Sequence, residues 1–213
     1  MEIYQSEEQQ VEAIKSYWKT NGKSIMAGLF IGLVGFIGYN KYQESQLETQ
    51  INASDAYQTV LELENKDQAT YVSAAEKFIN ENDKTSYAAL TALALAKEEA
   101  KKENWQKSAE YLTSAVASAP NEGIKGIATV RLARVQVQQA EFEQALTTLA
   151  TPLAESFAAV AAEIKGDAFL KLGKTDQARN AYQQAIDADA TNPTLQMKFD
   201  DLAEVIDLPS AAK

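Results

Sequence analysis

The chain has 213 residues, 46% of them apolar and 23% charged, which excludes a disordered polymer and allows one modest domain with an additional segment. Lys and Arg sum to 20 against 30 for Asp and Glu, and the resulting formal charge of -10 repels a phosphate backbone, so nucleic acid is not expected as a partner. Histidine and cysteine are both absent, which removes the commonest proton shuttle, the thiolate nucleophile, any disulfide and the usual zinc ligands.

Ser6, followed three residues later by Gln9, forms a capping-box pattern, with Glu7 and Glu8 in the first turn where the helix dipole favours negative charge. Val11, Ile14 and Trp18 recur at helical spacing and give one apolar face to a short helix. That helix is expected to end near Asn21 and Gly22, residues suited to a left-handed cap, and to lie along a membrane surface. A docking site for a cytoplasmic protein is the functional alternative for this tail of residues 1–23.

Seventeen uncharged residues, Ser24 to Asn40, lie between Lys23 and Lys41, and from Ile25 to Tyr39 every residue is apolar, glycine or aromatic. As a helix they cover about 26 Å, and the flanking lysines extend that reach by snorkelling to the headgroups. Tyr17, Trp18, Tyr39 and Tyr42 sit where amphipathic rings prefer a bilayer interface. The run has no polar stripe, as a core helix would have, and the residues after it are poor candidates for signal cleavage. A retained transmembrane helix over 24–41 is therefore expected.

Lys15, Lys19 and Lys23 precede the span, whereas Lys41 is the only basic residue from 41 to 65. The positive-inside bias then puts the N-terminus in the cytoplasm and the large C-terminal part across the membrane, in a bacterium the periplasm. Gly28 and Gly32 form a small-xxx-small pair, the spacing that lets a second membrane helix approach closely. Residues 42–52 read as a juxtamembrane linker.

From about Ala53 onward apolar residues recur at three and four and alanine is abundant, so the expected fold class is all-α: one transmembrane helix followed by a short solenoid. The run from Gly166 through Gly173 to Ala178, continued by Tyr182, Ala185 and Ile186, resembles the interior of a tetratricopeptide repeat. The small residue opening its second helix recurs as Ala178, Ala145, Ser108 and Ala74, at intervals of 33, 37 and 34 residues. The bulky residue four later is Tyr182, Leu149, Leu112 and Phe78; the small residue twelve earlier is Gly166, Ala133 and Ala96, but Glu62 in a degenerate first unit. Small against large lets paired helices cross closely, and stacked pairs bury what one pair cannot. The solenoid is expected over 53–207, closed by a final helix from about Thr194 to Asp207 whose Leu195, Phe199, Leu202 and Ile206 cover the last unit, with a flexible tail at 208–213.

No phosphate-binding loop, dinucleotide fingerprint, nucleophile elbow or calcium loop is present. Adjacent carboxylates at Glu7–Glu8, Glu98–Glu99 and Asp200–Asp201 diverge by about 100° on a helix and read as a solvated face. No catalytic, cofactor or metal site and no small-molecule substrate is expected. The first helix of each unit lines the concave side of such a solenoid. Its inward positions are Leu90, Leu93, Lys97 and Lys101, then Ile127, Val130, Arg134 and Val137, then Val160, Glu163, Asp167 and Leu170. This mainly apolar surface with scattered charge suits a hydrophobic peptide or partner helix; the alternative is that a neighbouring unit or the C-terminal helix covers it.

Met1 to Tyr4, Gln10 to Ala13, Asn21 to Lys23, the glycine-rich span, Ala74 to Phe78 and Arg131 to Gln138, taken with Leu170 to Ala178, resemble the YfgM family over nearly the whole chain. The resemblance implies an ancillary subunit of the SecYEG translocon in the inner membrane. It also implies association with a periplasmic chaperone of the PpiD kind and a non-enzymatic role in passing emerging polypeptides to periplasmic chaperones. An envelope scaffold holding one folded partner and a regulator acting through the tail are the alternatives.

Overall fold

The structure, a computed structural model, describes residues 7–64, 66–83 and 85–202. Among these, every regular element is helical: α1 Glu7–Glu64, α2 Gln68–Glu81, α3 Ser86–Lys101, α4 Trp105–Ser118, α5 Glu122–Gln138, α6 Phe142–Thr148, α7 Ala158–Lys171, α8 Thr175–Ala188 and α9 Pro193–Asp200. A 3-10 turn at Glu155–Phe157 precedes α7. The expected all-α class is observed. The chain divides into two compact units between Asn52 and Ala53.

In the first unit α1 carries an apolar window long enough to cross a bilayer, and only 6% of that window is buried within the protein. Leu29, Phe30, Ile31, Leu33, Phe36 and Ile37 are all exposed, so the apolar surface runs round the helix rather than along one stripe. The break expected near Asn21 and Gly22 is absent, and residues 42–52 are helical too. Asn21 turns its side chain back on its own helix, Nδ2 donating to the Tyr17 carbonyl at 3.2 Å, and the Trp18 ring lies over Gly22, 3.4 Å from where a Cβ would sit. These local contacts satisfy in helix what the two residues would otherwise gain in a cap. Ser6, the expected cap, lies outside the described residues.

In the second unit α3 pairs with α4, α5 with α6 and α7 with α8. The paired small residues meet as the spacing requires: Ser108 Oγ donates to the Ala96 carbonyl at 2.8 Å, and Ala133, Ala145, Gly166 and Ala178 are all buried. A Cβ at Gly166 would sit 2.3 Å from the Tyr182 ring, itself 1% exposed, so any larger residue forces that enclosed ring to shift. The first helix of each pair ends alike. Glu103, Ala140 and Gly173 take positive φ (59°, 61° and 71°), the N–H of the next residue reaching back to Glu99, Gln136 and Phe169. These are three left-handed helix stops at intervals of 37 and 33 residues, the same steps as the repeat.

The degenerate first unit departs from this plan. Glu62 is exposed, Ala74 is half-buried while Ala75 is fully buried, and α2 begins at Gln68, capped by the Asp67 carboxylate. Val60 and the Tyr57 ring join its core through Phe78 and Tyr87, at centroid distances of 6.1 and 5.3 Å. The second helix of the next-to-last pair, α6, is short: it ends at Thr148, and the chain then runs through Pro152 before Phe157 packs its ring against Gly126 of α5. α9 lies on the last pair, with Leu195 1% exposed among Ala162, Ala185 and Ile186, but it ends at Asp200 and gives way to a turn at 201–202, short of the run to Asp207 expected of it. Ile206 and the tail at 208–213 lie outside the described residues.

Candidate functional site

The expected inward positions separate into three groups. Leu93 and Val130 are buried in the cores of their pairs. Val137, Val160, Glu163 and Asp167 are half-buried, and Leu90, Lys97, Lys101, Ile127, Arg134 and Leu170 are exposed. Lys101 turns away to pair with Glu98 at 2.7 Å.

Leu93, Lys97 and Arg134 meet at a cavity of about 450 Å3 between α3, α4 and α5, within the range of small-ligand pockets. Its floor is apolar, formed by Leu93, Ala96, Leu112 and Val135. Trp105 closes one side, where α4 begins. Lys97 from α3 and Arg131 and Arg134 from α5 stand around it, and no carboxylate lines it. Arg131, Trp105 and Gln138 were not among the expected positions. Arg131 lies one turn before Arg134 on α5, so the signal for it was an i,i+3 arginine pair on one helix face.

Glu163 and Asp167 meet a different environment. Lys198 of α9 lies 2.8 Å from Glu163 Oε1 and 2.7 Å from Asp167 Oδ1, and Arg134 Nη2 is 3.6 Å from Glu163 Oε2. The Tyr182 hydroxyl donates to Asp167 at 2.7 Å. Burial lowers the Lys198 pKa, but the hydrogen bonds to Asp167 and Glu163 outweigh it and leave the ammonium raised. Burial, reinforced by Asp167, likewise pushes the Tyr182 phenol up. The covering alternative therefore applies to Glu163 and Asp167, where α9 sits on the last pair.

The same trio of groups is built once more, between α2 and α4. Tyr111 of α4 donates to Glu76 of α2 at 2.6 Å, and Lys107 stands 3.2 Å from the same carboxylate and 5.0 Å from the Tyr111 ring centre. The Tyr111 hydrogen bond, with Lys107 behind it, holds the Glu76 carboxyl below its usual range. Of the adjacent carboxylates, Glu98 and Glu99 are paired with Lys101 and Lys102 but are half-buried rather than fully solvated, Glu99 also accepting from Asn104 Nδ2 at 2.8 Å. No cluster of three or more potential metal ligands occurs among the described residues. Gly28 and Gly32 have open space where a Cβ would sit.

Residues 15–204 match the family model of a tetratricopeptide repeat-like domain. The chain is 36% identical over 206 residues to the ancillary SecYEG translocon subunit of Escherichia coli (strain K12), covering 95% of this chain and all of that protein. This chain belongs to that family. The subunit of the same name from Haemophilus influenzae is 32% identical over 84% of this chain and 88% of its own length, and the one from Neisseria gonorrhoeae is 27% identical over 95% of this chain and its whole length. Among solved structures, MamA 41-end from Desulfovibrio magneticus RS-1 superposes with a TM-score of 0.54 over 72% of this chain and 83% of its own, at 14% identity. That likeness concerns the fold alone. The matched residues 15–204 include the membrane-length window as well as the repeats.

Proposed function

We propose that this protein is a non-enzymatic, single-pass adaptor of the bacterial inner membrane that associates with the SecYEG translocon. Its N-terminus lies in the cytoplasm and its repeats in the periplasm, where they pass translocated polypeptides to chaperones of the PpiD kind. The observation that carries this reading is similarity to an ancillary SecYEG translocon subunit along 95% of the chain, membrane window included. The lysines at 15, 19 and 23 support the orientation. The exposed apolar side chains Leu90 and Ile127, at the same place in successive units, together with the Leu93–Arg134 cavity, support binding through the repeats. The open, apolar surround of Gly28 and Gly32 supports a helix contact within the bilayer.

Purification from mild detergent tests the association: SecYEG should co-purify with the whole chain, and replacement of residues 24–40 by an unrelated span should reduce the yield. Absence of SecYEG from the unaltered chain's preparation overturns the reading. Protease added to intact spheroplasts should remove the repeats and spare the tail; the reverse pattern overturns the orientation. Crosslinkers at the exposed inward positions Leu90 and Ile127 should capture many nascent chains, whereas a single dominant folded protein would favour an envelope scaffold.

A further inference from the structure

The cavity between α3, α4 and α5 carries an electrostatic anomaly. The chain as a whole has a charge of -10, yet the walls of this cavity hold three cations and no carboxylate. Lys97 and Arg131 form no ion pair or hydrogen bond among the described residues, and the carboxylates on neighbouring turns are already engaged: Glu98 with Lys101, Glu99 with Lys102 and Asn104, Glu163 with Lys198. Arg134 is held only at 3.6 Å from Glu163, a carboxylate it shares with Lys198. Exposed cations gain little from solvent-separated neighbours, whereas two or three converging on one mouth attract an anion approaching it and repel a cation. Beneath them the floor is apolar and the indole of Trp105 forms a side wall.

From this juxtaposition we infer that the cavity recognises polypeptide segments in which a large apolar side chain is flanked by Asp or Glu, the apolar group filling the floor and the carboxylates meeting Lys97, Arg131 and Arg134. The inference rests on the reading that the repeats bind polypeptide, and it names the chemistry of what they select. Positively charged segments are rejected by the same three groups, so the site discriminates by repulsion as well as attraction. Guanidinium forks at Arg131 and Arg134, one turn apart, favour paired carboxylates over a single one.

The test uses the whole chain in lipid nanodiscs and three fluorescein-labelled hexapeptides, DELFDE, NQLFNQ and KKLFKK, read by anisotropy. DELFDE should bind about tenfold or more tightly than NQLFNQ, with the advantage shrinking as salt is raised, and KKLFKK should bind weakest. The Lys97→Glu/Arg131→Glu double variant should invert the order of the charged peptides, and Lys97→Gln/Arg131→Gln should bring DELFDE close to NQLFNQ. Ala100→Phe, which narrows the mouth without touching charge, should weaken all three peptides. Equal binding of DELFDE and NQLFNQ, or an unchanged order in the glutamate variant with its helical circular dichroism intact, overturns the inference. Co-purification of SecYEG is measured on the same preparations. If the translocon is retained and the peptide preference is missing, peptide selection alone falls; if the translocon is lost from the unaltered chain, the adaptor reading falls.

Discussion

Two faces of the solenoid occupy the same place in the repeat and meet opposite fates. Between α3 and α5 the inward positions Lys97 and Arg134 stand open around an apolar cavity; on α7 the inward positions Glu163 and Asp167 are covered by Lys198. The repeat register makes a position inward, but whether it becomes surface or interface depends on what the next element brings. α9 brings a cation to two carboxylates, and nothing of opposite charge is brought to Lys97 and Arg131. The polar trios repeat the lesson. In one, Lys107 and Tyr111 come from the same helix, the lysine partly exposed and the tyrosine buried; in the other, Lys198 arrives from α9 to join Tyr182 and Asp167. The first trio ties neighbouring pairs together, and the second closes the end of the stack.

The most severe way to break this contrast is to detach α9. Leu195→Ala removes a side chain that is 1% exposed and is expected to destabilise the repeats by about 3 kcal/mol, with faster proteolysis at the C-terminal end. Urea denaturation followed by circular dichroism measures the first effect and limited proteolysis the second. Gly166→Ala comes next, at about 1–3 kcal/mol, because the Tyr182 ring it would strike is fully enclosed. Gly126→Ala presses equally close on Phe157, but that ring is only half-buried and has room to swing, so its midpoint should fall less than that of Gly166→Ala. Equal losses would show that the two rings are equally confined.

Lys198→Met should cost about 1–2 kcal/mol and make Glu163 and Asp167 accessible, detectable as faster carbodiimide labelling at both positions. A smaller effect of opposite sign is expected at the helix stops. Ala140→Gly and Glu103→Gly place glycine where φ is 61° and 59°, and each should raise stability by about 0.5–1 kcal/mol in urea titration. The smallest effect concerns pH. Glu76 has a lowered pKa in the fold, so its contribution is present above the ordinary carboxylate pKa and fades as pH falls through the lowered value. Glu76→Gln should make the acid limb of the stability profile slightly shallower below about pH 4.5. Lys198, being raised, keeps its contribution through neutral pH and loses it only in strong alkali, the opposite end of the scale from Glu76.

The pairing of helices was legible in the sequence because it depends on one-residue facts. A small side chain at Ala96, Ala133 or Gly166 can be recognised without knowing its partner, since only small side chains permit the crossing. Helix continuity was harder to read. Asn21 and Gly22 have the chemistry of a stop, and what overrides it is a hydrogen bond to Tyr17 and the indole of Trp18, interactions that exist only once the helix has formed. The cavity was half legible. Leu93, Lys97 and Arg134 follow from the register, but Arg131, Trp105 and Leu112 reach it from the neighbouring stripe of α5 and from α4, and which stripes converge is set by how three helices pack. The same holds for Lys198, whose role depends on where α9 comes to rest.

The three left-handed stops at Glu103, Ala140 and Gly173 mark natural seams in the chain. They lie 37 and 33 residues apart, and the module between the first two has a 14-residue second helix where the next has a 7-residue one followed by a longer connection. Chimaeras of related subunits joined at these seams should therefore inherit intact modules, whereas joints four or five residues to either side would cut through a helix or its cap.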